Sequence, residues 1–112
     1  MKKSFCYRAC RDKEKGIIFI KTDSYLEVVT DRDGNKFNIH FHKVGDEWSA
    51  TEETSGLRCV PGTYRTKALC HDEVMKVKDM YADLLSRGDA PKYKRELMLY
   101  KKSLEKGANS ER

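Results

Sequence analysis

Four cysteines and three histidines are the side chains of this 112-residue chain best suited to metal or nucleophilic chemistry. A structural zinc site asks for thiolates and imidazoles in two short pairs, which can close into a tetrahedron. Cys6 and Cys10 make one such pair, but Cys59 and Cys70 stand far apart. Cys70 also falls in an apolar helical stripe, where a small thiol is at home. Free thiols are therefore expected, with neither zinc nor, in a reducing compartment, disulfides. His40 and His42 alternate along a strand, which puts both imidazoles on one side roughly 7 Å apart, a spacing open to a metal or a phosphate. No acid cluster or third ligand at a recognisable spacing accompanies them, so they read as exposed or half-exposed strand histidines. A metal-assisted hydrolase built on the pair stands as an alternative that metal analysis would test. Asp31-Arg32-Asp33-Gly34-Asn35 has the beginnings of a calcium loop, yet Lys36 and His42 occupy the places of the loop glycine and the bidentate glutamate. It reads as a hairpin turn. No glycine-rich phosphate loop, G-x-S-x-G or H-E-x-x-H occurs. The expectation is a chain with no catalytic residues, no metal site and no cofactor, not an enzyme.

Charge offers a different kind of candidate. Lys and Arg total 23 against 18 acids, a net charge of +5, and the bases are segregated. Residues 1–15 carry six bases and two acids, residues 91–106 repeat that balance, and residues 16–65 carry six bases and eight acids. Like charges within a Debye length add their potentials, so both ends are suited to phosphate or to an acidic protein surface. The candidate binding residues are Lys92, Lys94, Arg95, Lys101, Lys102 and Lys106 near the C-terminus, with Arg8 and Arg11 from the N-terminal segment. Tyr93 and Tyr100 share a helical stripe with Leu97 and Leu104, which makes them packing residues before they are stacking platforms. Met98 and Leu99 broaden that stripe enough to serve a partner or a second copy.

The elements that must position these residues are legible from periodicity. Ile17–Ile20 is a short apolar run rich in β-formers and reads as a buried strand. Tyr25–Thr30 and Lys36–His42 flank the Asp-Gly turn, and the second alternates strictly, with Phe37, Ile39 and Phe41 facing the core and Asn38, His40 and His42 facing away. Two further strands are expected at Glu47–Thr51 and Leu57–Val60. From Thr66 the period changes to 3.6: Cys70, Val74, Val77, Tyr81 and Leu84 form one stripe, capped by Thr66 and ended by Gly88. Asp89 and Pro91 open a second helix whose stripe is Tyr93, Leu97, Tyr100 and Leu104. The fold expected is α+β: an N-terminal antiparallel sheet of four to five strands packed on two C-terminal helices, one domain over 1–106 with a disordered tail over 107–112. Its core should contain Ile18, Ile20, Leu26, Val28, Phe37, Ile39, Phe41, Trp48, Ala50, Leu57, Val74, Val77, Tyr81, Leu84, Leu97, Tyr100 and Leu104. The longest uncharged apolar run, Gly16–Ile20, is far below the roughly 20 residues of a membrane span, and Met1-Lys2-Lys3 leads into no apolar segment. A cytoplasmic chain is expected.

The stretch from Trp48 through Thr51, Ser55-Gly56-Leu57 and Pro61-Gly62 to Thr66 and Ala68 resembles small accessory proteins of bacteriophages and mobile elements, anti-CRISPR inhibitors among them. In these a strand, a Ser/Thr-Gly turn, a second strand and a helix follow in this order. The resemblance covers about a fifth of the chain and carries over no functional residue. It implies a non-enzymatic protein acting in the host cytoplasm, monomeric or homodimeric, that inhibits a host nuclease or ribonucleoprotein complex by stoichiometric binding. Many such inhibitors imitate DNA through acidity, which a pI near 9.0 does not do. The alternative is a small basic regulator that binds nucleic acid directly.

Overall fold

Asp31 opens the turn that organises the sheet. Its Oδ1 accepts the amides of Asp33 and Asn35, its Oδ2 accepts Asn35 Nδ2, and Gly34 takes a φ of +86° that a side chain would resist. The turn joins strands β2 (Gly16–Thr30) and β3 (Lys36–Val44), and Gly45-Asp46 returns the chain into β4 (Glu47–Glu52). The computed structural model describes residues 1–110, with side chains as far as Lys106. The tail expected over 107–112 lies outside these described side chains, and the last helix is drawn to Ser110.

The basic N-terminal segment is itself a strand, β1 (Lys2–Asp12), paired antiparallel with the first half of β2 from Lys2 opposite Leu26 to Asp12 opposite Gly16. Its four bases, Lys2, Lys3, Arg8 and Arg11, mask an alternation of Phe5, Tyr7 and Ala9 against Cys6 and Cys10. The two runs expected as separate strands, Ile17–Ile20 and Tyr25–Thr30, are one strand of fifteen residues that passes straight through Asp23-Ser24. Leu57–Val60 is not a strand and touches the sheet through a single bridge, Arg58 to Thr51. The result is a four-stranded antiparallel meander in the order β1-β2-β3-β4.

Helix α1 (Lys67–Val77) starts where Thr66 Oγ1 accepts the amide of Leu69 at 3.1 Å. A single 3₁₀ turn, Lys78–Met80, separates it from α2 (Tyr81–Ser86), and Gly88 at φ +61° ends the pair. Helix α3 (Ala90–Ser110) follows, so the α+β arrangement expected from periodicity is the one observed. One face of the sheet, with Val29, Ile39, Phe41 and Ala50, packs on Cys70, Val74 and Tyr81 to make the central core.

Four residues expected in the core are exposed: Ile20, Val28, Leu84 and Leu104. Val28 sits opposite Asn38, past the end of the β1 pairing at Leu26, so nothing covers that side of β2; its neighbour Val29 is buried instead. Leu84 loses its place because the 3₁₀ turn advances the chain by about 120° per residue rather than 100°, which rotates α2 out of phase with α1. Ile20 lies on the projecting part of the hairpin opposite Arg8, and Leu104 at the rim of a cleft beside Phe5.

The second face of the sheet is also covered, because the β1–β2 hairpin curls across it. The amide of Ala9 donates to Gly56 O at 2.8 Å, closing the free edge of β1 onto the turn after β4. On the outer side of the same hairpin, Tyr100 of α3 meets Tyr7 edge-on and Phe19 at a tilt, both with centroids 5.5 Å apart. Such aromatic contacts add to the burial of Tyr93 and Leu97 in fixing α3.

Candidate binding surface

Of the six helix bases, Lys92, Arg95, Lys102 and Lys106 are exposed, whereas Lys94 and Lys101 are partly buried. At roughly 100° per residue, Arg95, Lys102 and Lys106 form one ridge on the side of α3 opposite its buried stripe. Met98 and Leu99, each 52% exposed, flank that ridge. Lys94 and Lys101 form a second row beside an open groove of about 570 Å³ whose apolar floor includes Leu97 and Met98. Lys92 lies apart on the other flank. Among the described residues, the salt bridges engage Arg11, His40, His71, Lys76 and Arg87, and none of the six helix cations is paired with a carboxylate there.

The two N-terminal candidates separate. Arg11 joins the start of α3, its Nε donating to Tyr93 Oη at 3.1 Å and its Nη2 lying 3.5 Å from Asp89 Oδ2. Arg8 turns the other way: its Nε donates to Thr22 Oγ1 at 2.9 Å, and it lines a cleft with His42 and Thr51. It belongs to the inner face of the sheet rather than to the α3 surface.

That inner face overturns the expectation of exposed strand histidines. His40 and His42 are 0% and 2% exposed, because the curled hairpin lies over them. Their ring nitrogens are all engaged. His40 Nε2 donates to Glu53 Oε1 at 3.1 Å and its Nδ1 meets Ser24 Oγ at 2.8 Å; Asn38 Nδ2 donates to the other oxygen of Glu53. His42 Nδ1 donates to the Lys43 carbonyl, which leaves Nε2 of the neutral ring to accept from Thr51 Oγ1 at 2.7 Å. Ser24, His40 and Glu53 stand in the order of a hydrolytic triad, but Ser24 is buried and the network satisfies a buried histidine. Burial also pushes the His42 pKa below its ordinary value, with the positive charges of Arg8 and His40 acting in the same direction.

The cysteines are free. Cys6 and Cys10, four residues apart on one strand, are held roughly 13 Å apart, too far to share a metal. Burial pushes the Cys59 thiol up to about 12 and those of Cys6 and Cys70 to about 11, which keeps them protonated. Among the described residues no group of three or more His, Cys, Asp and Glu side chains could hold a metal ion.

A second concave site was not visible in sequence. Tyr25 of β2 and Trp48 of β4 approach to 6.2 Å between ring centroids, in a groove of about 670 Å³ that also receives Lys3 and Lys43. The only signal available for it was the tandem alternation of β3 and β4, which places Lys43 opposite Trp48, but the contribution of β1 depends on the long-range pairing of Lys3 with Tyr25. No family model, no curated protein and no solved structure matches the chain.

Proposed function

We propose that the chain is a non-enzymatic binding protein that docks through α3 on an anionic surface of a host nucleoprotein complex and inhibits it stoichiometrically. A CRISPR nuclease is the type of target that the resemblance to phage and mobile-element accessory proteins implies, and the host cytoplasm is the compartment. The observation that carries the reading is the ridge of Arg95, Lys102 and Lys106, without an ion-pair partner among the described residues, with Met98 and Leu99 exposed beside it. Cations bordering exposed apolar side chains combine electrostatic steering with a surface that gains from burial. No helix among the described residues is long and apolar enough to cross a membrane.

Reversing Lys94, Arg95, Lys101 and Lys102 to Glu together is expected to abolish capture of the partner from a nuclease-treated bacterial lysate. The far-ultraviolet circular dichroism and Tm should stay close to the parent's, since Arg95 and Lys102 are exposed and the partly buried Lys94 and Lys101 line an open groove rather than the core. Undiminished capture by the variant would remove the α3 reading. The same cations favour a second reading, direct binding of nucleic acid by a regulator. In that case a naked duplex or RNA binds with an affinity that falls steeply with salt, and capture from lysate disappears on nuclease treatment.

A further inference from the structure

We infer that the groove between Tyr25 and Trp48 is a binding site for single-stranded nucleic acid, in which a base stacks on the aromatic pair and the adjoining phosphates are held by Lys3, Lys43 and Lys67. The site is independent of the α3 surface. It is assembled from five elements: β1 contributes Lys3, β2 Tyr25, β3 Lys43, β4 Trp48, and the first residue of α1 contributes Lys67. The sheet register brings them together, since Lys3 stands opposite Tyr25, Tyr25 opposite Phe41, and Lys43 opposite Trp48. Lys67 Nζ lies 4.3 Å from the Tyr25 ring centroid and 5.9 Å from that of Trp48, and Lys43 Nζ lies 5.1 Å from Trp48.

The chemistry of the ligand follows from that composition. Two half-buried rings call for a flat apolar partner, and three ammonium groups against the single lining carboxylate, Asp23, call for an anion. A nucleotide presents both within one unit. An acidic peptide would engage the lysines and leave the rings idle. The lysines now resting over the rings do not block the site. An exposed cation–π contact is weaker than the stacking of a base on an aromatic side chain, so a phosphate that draws the ammonium aside uncovers a face for the base. At about 670 Å³ the groove has room for a nucleotide and its flanking phosphates.

Trp48 is the only tryptophan in the chain, so its emission reports the site directly. The test is a titration of the full chain with an unlabelled uridine octanucleotide. Saturable quenching is expected, with log K falling against log salt at a slope of about −2 if three phosphates are neutralised on a single strand. The double variant Lys43→Glu, Lys67→Glu should weaken binding at least about tenfold at low salt, since it reverses two contacts in a salt-dependent interaction. Its melting curve should remain cooperative, because Lys43 is exposed and a Glu in the first turn suits the helix dipole. Reversal of the α3 charges should leave the quenching in place, which separates a failure of this site from a failure of the α3 reading. The inference is overturned by an absence of quenching, by equal quenching with an oligoglutamate, or by quenching that survives the Lys43 and Lys67 reversals. Loss of quenching on α3 reversal with an intact fold would also overturn it.

Discussion

His42 shows how a single residue ties the polar interior to solution conditions. Its folded pKa is depressed, chiefly by burial, below the ordinary value near 6.5. Above that value the ring is neutral in both states and its bonds to Lys43 and Thr51 contribute in full. As the pH falls below it, the unfolded chain takes up a proton that the folded chain resists, and stability declines until the folded pKa is reached. The Tm is therefore expected to fall between pH 7 and pH 5. In His42→Gln, whose amide offers a donor and an acceptor without titrating, that slope should be shallower by scanning calorimetry; an identical slope would rule His42 out as the source. Glu53 acts in a lower window. Its own desolvation opposes ionisation, but hydrogen bonds from Asn38 and His40 outweigh it and hold the carboxyl below its ordinary value. Its contribution is present above that ordinary value and is lost as the pH falls through the depressed one. The cysteines make the complementary point: burial that disqualifies them as ligands or nucleophiles lets Cys6 and Cys70 serve as small apolar packing residues.

At the scale of elements, the turn after β4 carries more of the architecture than its length implies. The buried carboxylate of Glu52 accepts from the amide and hydroxyl of both Thr54 and Ser55, which ties the chain into a tight loop. The loop presents Gly56 at φ +72° to β1, where a Cβ would stand 2.6 Å from the Tyr7 carbonyl oxygen and 3.1 Å from the Ala9 amide nitrogen. Gly56→Ala must therefore meet an unfavourable backbone conformation and displace a strand, and it loses the Ala9 hydrogen bond as well. We expect a loss of about 2–4 kcal/mol, read as a Tm lower by roughly 10 °C or more in a domain of this size. Gly34→Ala is the matched control: φ is +86° but open space surrounds the added carbon, so only the conformational cost of about 1–2 kcal/mol remains. Equal losses at the two positions would mean that closure onto β1 adds nothing.

The whole molecule is held by two cores of opposite character on the two faces of one sheet. The apolar core against α1 and α2 contains no residue of β1. The polar layer of Ser24, His40, His42 and Thr51 depends on β1 as its lid, and among the described residues no buried side-chain polar atom in it is left unpaired. Deleting residues 1–12 would uncover that layer and remove Tyr7 and Arg11 from beneath α3. The truncated chain is expected to lose cooperative unfolding and near-ultraviolet circular dichroism despite keeping every residue of the apolar core. A cooperative melt would show instead that the polar face tolerates water.

What local sequence determined here is whatever a few neighbouring residues decide among themselves. The Asp31–Asn35 turn, the Thr66 cap, the stop at Gly88 and the alternation of Phe37, Ile39 and Phe41 all follow from side chains acting on their own backbone or within one element, and each was legible. The outward charges of α3 were legible for the same reason. Tertiary structure decided the remainder. Period two along β3 says that His40 and His42 share a face, but only the curl of a distant hairpin says that this face is buried. β1 stayed hidden because its pairing with β2 is a long-range choice while its charges are a local fact. The Tyr25–Trp48 groove draws on five elements, and no stretch of chain contains enough of it to be read. Strand pairing and curvature are set by the sum of contacts made after the chain has closed on itself, so the sites they create are absent from any local pattern.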